Sequence, residues 1–404
     1  MKQALIAISR LEFIIMMSVI VAVDALAIDS ILPALSAISE ELAITRDNDR
    51  QFIITSLFAG YAIGVLVYGI ASDSFGRKPP IYVGFFIFLI GTLITIFASS
   101  FTMLLIGRAL QGLGAAGPQI IPSAITRDIY KGRSMAHILS LVMMVFMLVP
   151  AVAPLIGQSI LLVSNWQGIF VMLGIYALLA LVWFSVRLPE TLPVEKRVPF
   201  SLKQAKKSIL ATLRNKQAVK YMLAEGLTFG ALLAFLSTAQ QVFQELYLLG
   251  DKFAIYFGSL AFVMMLASFV NAKLVEKIGM RKLILIGSCT LFIVSISYLF
   301  ISQLAGLTIS LWFFLLFSAI SYFCLGILFG NMHALAMENV GHIAGVAASL
   351  IGSISTIISI IIAAIIGYYY NDSVIPIIAG FAILMVPVIA IIYYDQDKRK
   401  QALV

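Results

Sequence analysis

The sequence predicts an all-α polytopic membrane protein, with twelve transmembrane helices in two six-helix bundles. Three observations carry this. Of 404 residues, 61% are hydrophobic and 11% charged, against roughly half and about a quarter in a soluble domain. Runs of about 20 apolar residues, the length that spans ~30 Å of hydrocarbon, recur along the whole chain. One long polar segment divides these runs into two sets, and a short loop motif recurs near half-length. With a mean hydropathy of +1.05, a soluble protein would have nothing to cover its surface with. Soluble enzymes, nucleic-acid binders and secreted disulfide scaffolds are excluded on that ground.

The first span lies near Leu11–Leu35, after Lys2 and Arg10. It is too long for a signal-peptide core and is expected to stay as a membrane helix. It holds Asp24 and Asp29. An ionisable side chain at the bilayer centre costs at least ~2.5 kcal/mol, so both are candidates for function. Five residues, about 140° of helix rotation, place them on different faces. The second span, near Gln51–Ala71, leads into Gly69-Ile-Ala-Ser-Asp73-Ser-Phe-Gly76-Arg77-Lys78, and the third lies near Ile81–Ala98. The fourth, near Met103–Ile125, contains Gly107-Arg108-Ala-Leu-Gln111-Gly112-Leu-Gly114-Ala-Ala-Gly117-Pro118. Arg108 and Asp29 both sit roughly 6–9 Å inside the same boundary at 1.5 Å per residue. If their helices are adjacent they can meet, either as a permanent ion pair or as one that exchanges for a proton. The fifth span, near Ala136–Val163, carries Pro150-Ala-Val-Ala-Pro154-Leu-Ile-Gly157, and the sixth lies near Ile169–Val186. Proline kinks a helix and small residues permit close approach, which suits helices that bend or rock.

From Arg187 to Lys220 the chain is polar, with Pro189, Pro193, Pro199 and nine basic residues. A solvated linker with an amphipathic helix around Ser201–Leu213 is expected. The expected domains are residues 1–187, a linker 188–219 and residues 220–404. The second set of spans lies near Tyr221–Phe243, Phe253–Asn271, Leu283–Ile301, Leu307–Asn331, Ile343–Tyr368 and Val374–Tyr394. Glu225, just inside the boundary of the seventh span, is expected to snorkel to the interface. After the eighth span stands Ala272-Lys-Leu-Val-Glu276-Lys-Ile-Gly279-Met280-Arg281-Lys282. Its acid-x-x-Gly core matches Asp73 and Gly76 with Glu276 and Gly279 at an offset of 203. Repeated halves with a crevice between them are an alternating-access architecture. Asp73 can hold a helix N-terminus or an arginine in one state and release it in another.

Assigning alternate loops to the two sides puts 23 of the 27 lysines and arginines on one side. The positive-inside rule makes that side, with both termini and the linker, cytoplasmic. The net charge of +8 then reports orientation rather than a partner. Cys289 and Cys324 lie in apolar runs as packing residues, and His137, His333 and His342 form no ligand motif. No metal site is expected.

These residues resemble the major facilitator superfamily, and within it the drug:proton antiporters of the bicyclomycin-resistance (Bcr/CflA) type. Gly69 to Lys78 is similar to the superfamily's cytoplasmic loop motif, and Arg108-Ala-Leu-Gln111-Gly112 to a fourth-helix motif tied to proton coupling. Pro150 to Gly157 resembles the fifth-helix motif of exporters. Asp29-Ser-Ile-Leu-Pro33-Ala-Leu, Arg127-Asp128-Ile-Tyr130, Leu188-Pro-Glu190-Thr191-Leu-Pro193 and Ala344-Gly345-Val-Ala-Ala-Ser349 resemble subfamily motifs. The chain departs at Ser30-Ile31, where the family usually has Met-Tyr, at Gln167 after Trp166, and at Met280. Ser30 and Ile31 are expected to enlarge a cavity wall. The resemblance implies proton-coupled efflux of small amphipathic compounds, such as bicyclomycin-like or sulfonamide antibiotics, across a bacterial cytoplasmic membrane. Asp29 would carry the proton and Arg108 modulate it; Asp24 has no counterpart in the resemblance and is a candidate second proton or cationic-substrate site by its place in the span. The energy source would be the proton gradient, without a cofactor. The partners would be a small-molecule substrate, protons and the bilayer, with no nucleic acid, and the unit a monomer. An exporter of a metabolite or siderophore, an uptake carrier and a non-transporting scaffold remain alternatives.

Overall fold

The computed structural model describes residues 8–197, 201–305 and 310–402. Lys2, Pro199 and the start of the span at Leu307 lie outside the described residues. Among the described residues there is no strand, and twelve helices have 19 to 30 residues. In order they are α1 Arg10–Asp29, α2 Phe52–Phe75, α3 Lys78–Ile96, α4 Phe101–Ile129, α5 Gly132–Leu161 and α6 Gln167–Arg187. After them come α7 Lys216–Gln240, α8 Phe253–Ile278, α9 Met280–Ala305, α10 Leu311–Met337, α11 Ala344–Tyr368 and α12 Ile375–Ala402. Eleven helical segments are long and apolar enough to cross a membrane. The exception is α4, where Arg108, Gln111 and a run of glycines replace aliphatic side chains.

The first span ends earlier than its composition suggests. α1 stops at Asp29, and a 3-10 turn, Leu32–Ala34, and a short helix, Leu35–Glu41, follow. Pro33 lies in that turn, where its missing N–H and its ring prevent a continuous helix. The linker helix forms at Leu202–Arg214.

The chain divides into two compact units, Met1–Ser208 and Ile209–Val404, so the cut falls inside the linker helix. In the N-terminal unit α4 is the spine. A Cβ on Gly60 of α2 would overlap the Ala109 carbonyl of α4, and one on Gly112 of α4 would overlap the Leu57 carbonyl of α2. On the other flank, a Cβ on Gly84 or Gly91 of α3 would meet α4 backbone at 2.7 and 2.6 Å. These glycines let three helices touch backbone to backbone. In the C-terminal unit α7 lies on α11, tied by Ser355 Oγ donating to Met222 O (3.0 Å) and Ser359 Oγ to Gly226 O (3.1 Å). There the glycines Gly226 and Gly230 face the side chains of Ile358 and Ile362, not backbone. Large apolar side chains on the outside, among them Phe86, Leu179, Ile293 and Ile383, form the exterior that lipid requires.

Candidate functional site

Asp24, Asp29 and Arg108 are all buried in the N-terminal unit, and Arg108 is fully so. The expected Asp29–Arg108 ion pair does not form. Arg108 Nε donates to Ile53 O of α2 (3.1 Å), and Nη1 donates to Ala27 O of α1 (2.9 Å) and to Gln111 Oε1 (2.9 Å). Its guanidinium carbon stands 5.9 Å from the centre of the Phe170 ring of α6. Backbone carbonyls therefore hold the arginine where a carboxylate was expected. Ala27 follows Asp24 by three residues, about one helical turn, so the stretch of α1 facing Arg108 belongs to Asp24. The two carboxylates, placed on different faces by their spacing, thus flank the turn of α1 to which the arginine bonds. Arg108 Nη2 and Asp24 Oδ1 are buried with no hydrogen-bond partner among the described residues.

The groups around this centre are rigid. Gln111 Nε2 donates to Thr92 Oγ1 of α3 (2.8 Å), and Thr92 Oγ1 donates to Phe88 O (2.8 Å). Pro150 and Pro154 sit within α5, which stays helical from Gly132 to Leu161. A Cβ on Gly157 would overlap the carbonyl oxygen of Ser30, one residue beyond Asp29, and would approach the Pro33 ring at 3.3 Å. Ser30 and Ile31 are fully buried, and Ser30 Oγ donates to Leu26 O at 2.6 Å. They are packing residues under α5 rather than a cavity wall. The smaller Ser30 fits because α5 passes directly over it.

The loop between α2 and α3 forms a second polar centre. Arg77 Nε donates to Asp128 Oδ2 (2.8 Å), and Nη1 donates to Asp73 Oδ1 (2.7 Å) and Ser72 Oγ (3.2 Å). Thr191 Oγ1 also donates to Asp128, at 3.1 Å. Gly76 has φ +95°, a turn conformation that a side chain would strain. Its Cβ position also lies 2.8 Å from Glu190 Oε2. Glu190 accepts from the backbone N–H groups of Arg77 (2.9 Å) and Lys78 (3.0 Å), at the start of α3, and from those of Thr191 and Leu192. Burial opposes charge on this carboxylate, but the four N–H donors outweigh it and hold Glu190 below the ordinary glutamate value. Burial likewise opposes the charge of Arg77, and its hydrogen bonds to Asp128 and Asp73 reverse that. Lys78 Nζ donates to Ser185 O (3.1 Å) and Leu188 O (2.7 Å), capping the C-terminal end of α6. Gly69 lies inside α2, its carbonyl accepting from Ser72 Oγ at 3.5 Å.

In the C-terminal unit the expected partners are only partly right. Gly279 has φ +84°, repeating the turn of Gly76. Glu276 is exposed and takes no part in an ion pair among the described residues. Arg281 does the work instead. Its Nη2 meets Glu338 Oε2 at 2.7 Å and its Nε meets Asp395 Oδ2 at 3.0 Å, with Tyr221 O–H donating to Asp395 at 2.9 Å. By the motif offset Arg281 matches Lys78, yet it acts as Arg77 does. The helix starts could have revealed this. Ser100 caps α4 and Ser310 caps α10, an offset of 210 that also carries Asp128 onto Glu338. Glu225 does not snorkel. His333 of α10 lies against it, Nδ1 to Oε1 at 3.1 Å, and holds it inside the unit.

The sequence matches the family model described as Major Facilitator Superfamily over residues 17–364. It is 28% identical over 369 residues to a bicyclomycin resistance protein homolog of Haemophilus influenzae, covering 91% of this chain and 92% of that one. It is 32% identical over 188 residues to multidrug resistance protein D of Escherichia coli, covering 46% and 47%. The fold resembles the human organic anion transporter MFSD10 with a TM-score of 0.70 at 15% identity, covering 95% of this chain and 99% of that one. The chain belongs to the Major Facilitator Superfamily and is a multi-pass membrane transporter, not an enzyme.

Proposed function

We propose that this transporter exports small amphipathic compounds, such as bicyclomycin-like or sulfonamide antibiotics, in exchange for protons by alternating access. The observation that carries the reading is the buried group of Asp24, Asp29 and Arg108. Two buried carboxylates with one arginine, and no ion pair to fix either, suit reversible proton uptake better than a structural role. The names of the relatives in Haemophilus influenzae and Escherichia coli support drugs as cargo.

In this reading Asp29 and Asp24 share the proton, and Arg108, bonded to the Ala27 and Ile53 carbonyls, ties α1 to α2 beside them. Arg77 and Arg281, each bound to acids from other helices of its own unit, are the latches that open and close during transport. The proton gradient supplies the energy. The protein works as a monomer in a bacterial cytoplasmic membrane, with both termini in the cytoplasm by its loop charges.

Growth inhibition of a drug-hypersensitive bacterial host, across a panel including bicyclomycin and sulfonamides, tests the reading. The wild-type chain should raise the inhibitory concentration of at least one compound, and Asp29→Asn should abolish that gain. Undiminished resistance with Asp29→Asn at equal expression would sink the proton role.

A further inference from the structure

Glu225 and His333 lie in the C-terminal unit, outside everything assigned above. Oε1 of Glu225 meets His333 Nδ1 at 3.1 Å, while Oε2 is buried with no hydrogen-bond partner among the described residues. The glutamate side chain is 15% exposed and the imidazole 43%, so the histidine is the more accessible member of the pair. Phe229 follows Glu225 by four residues on α7, and Phe329 precedes His333 by four on α10. The two rings meet edge to face at 5.8 Å, and Thr228 Oγ1 lies 3.6 Å from Met332 Sδ between the rungs. A half-satisfied carboxylate therefore stands about 6 Å, one turn, from an aromatic pair along the same seam. A carboxylate below and aromatic rings above is the chemistry that recognises an organic cation.

We propose that this seam binds the cationic group of a transported compound, with Glu225 as its counter-ion and His333 as the resident partner it displaces. The proposal rests on the export reading only in calling the cation a cargo. Of the other ionisable groups on the packed helices, Lys216, Tyr393 and Tyr394 are exposed, and Tyr322, packed on Phe235, and Cys324 are buried on α10 more than two turns before His333. Lys220 and Tyr221 each bind Asp395, and Arg281 binds Asp395 and Glu338. Lys273, Glu276, Lys277 and Lys282 are exposed on α8 and α9, and Tyr368, also exposed, is the single ionisable residue of α11. Imidazolium competes with the cation for Glu225, so acidification through the histidine range weakens cation binding.

The test is equilibrium binding of tetraphenylphosphonium to the full-length protein in lipid nanodiscs, between about pH 6 and about pH 8, where an imidazole titrates. Glu225→Gln should weaken binding about tenfold or more, and Phe229→Ala about threefold to tenfold. His333→Gln should tighten binding at the acid end and flatten its pH dependence, an opposite sign that misfolding cannot mimic. Wild-type protein that binds no tetraphenylphosphonium, or Glu225→Gln protein that binds it as wild type does, overturns the proposal. Export of an uncharged compound, driven by a pH gradient in liposomes of the same preparations, separates the two ideas. If that export runs while binding ignores Glu225→Gln, the cation site fails alone. If it is absent while the variants shift binding as stated, the export reading fails and the site stands.

Discussion

In the N-terminal unit, the helix that starts after Ser100 buries an arginine at its eighth residue. In the C-terminal unit, the helix that starts after Ser310 buries a serine there. Arg108 and Ser318 are both fully buried, and Ser318 Oγ has no hydrogen-bond partner in the protein. The loop arginines behave differently. Arg77 finds Asp128 at the end of α4, and Arg281 finds Glu338 at the end of α10. What both units share, a positive-φ glycine followed by an arginine latched to the fourth helix, is what the fold needs. What one unit has alone, a guanidinium inside the membrane region, is not needed to build a six-helix bundle. Its burial costs several kcal/mol of desolvation, and a role in transport is what we propose for it.

Removing Arg108 should break this comparison most severely. Arg108→Ala removes the donor to Gln111 Oε1 and to the Ala27 and Ile53 carbonyls, the last of which keeps Ser56 Oγ. We expect transport to fall at least ~100-fold, with stability changed by only about 1–3 kcal/mol, the cost of leaving a buried acceptor unpaired. Ser318→Ala should change transport by less than about twofold, since it removes an unpartnered hydroxyl. Initial rates of substrate efflux and thermal unfolding check both, and a matching loss in Ser318→Ala would erase the contrast.

The glycine seams come next. Gly112→Ala forces a methyl group into the backbone of α2, and about 3 kcal/mol or more of destabilisation is expected. Gly226→Ala meets the Ile358 Cβ at 3.0 Å, a contact that a shift of a few tenths of an ångström relieves, so about 1 kcal/mol is expected. Thermal unfolding in one detergent ranks the two, and equal losses would show that the halves pack alike.

The smallest effects concern the second loop. Arg281→Ala should slow transport about tenfold, as Arg77→Ala should, because each frees two acids. Glu276→Gln should be within about 0.5 kcal/mol of wild type in stability and unchanged in rate, since the side chain is exposed. A strong Glu276→Gln phenotype with a silent Arg281→Ala would restore the motif-based assignment.

Much of this was legible in the residues themselves. Apolar runs located every long helix because membrane spans need length and composition more than partners. Even α4, the most polar of them, was placed among those runs, near Met103–Ile125. Pairing was harder to read. Depth alone suggested Asp29 with Arg108, but depth ignores helix rotation and the pull of backbone carbonyls, which hold the guanidinium on the turn of α1 at Ala27. The loop motif pointed to Glu276 because its spacing matches, while the working residue, Arg281, is displaced by one from the position of Arg77. Glu190 was read within a family motif, yet its role depends on folding back over 113 residues to the start of α3. Glu225 was assigned to the interface because its histidine partner lies 108 residues away on another helix. Contacts between distant segments, unlike spans, leave no local pattern.

The central claim is that Asp24 and Asp29, coupled to Arg108, carry the proton that drives export. Its most direct test is proton movement in liposomes containing the purified protein and a pH-sensitive dye, started by adding a compound to which the wild-type chain confers resistance. Wild-type protein should move protons on addition, and the double variant Asp24→Asn, Asp29→Asn should move none while still exchanging labelled for unlabelled compound. Proton movement by the double variant at the wild-type rate would contradict the account.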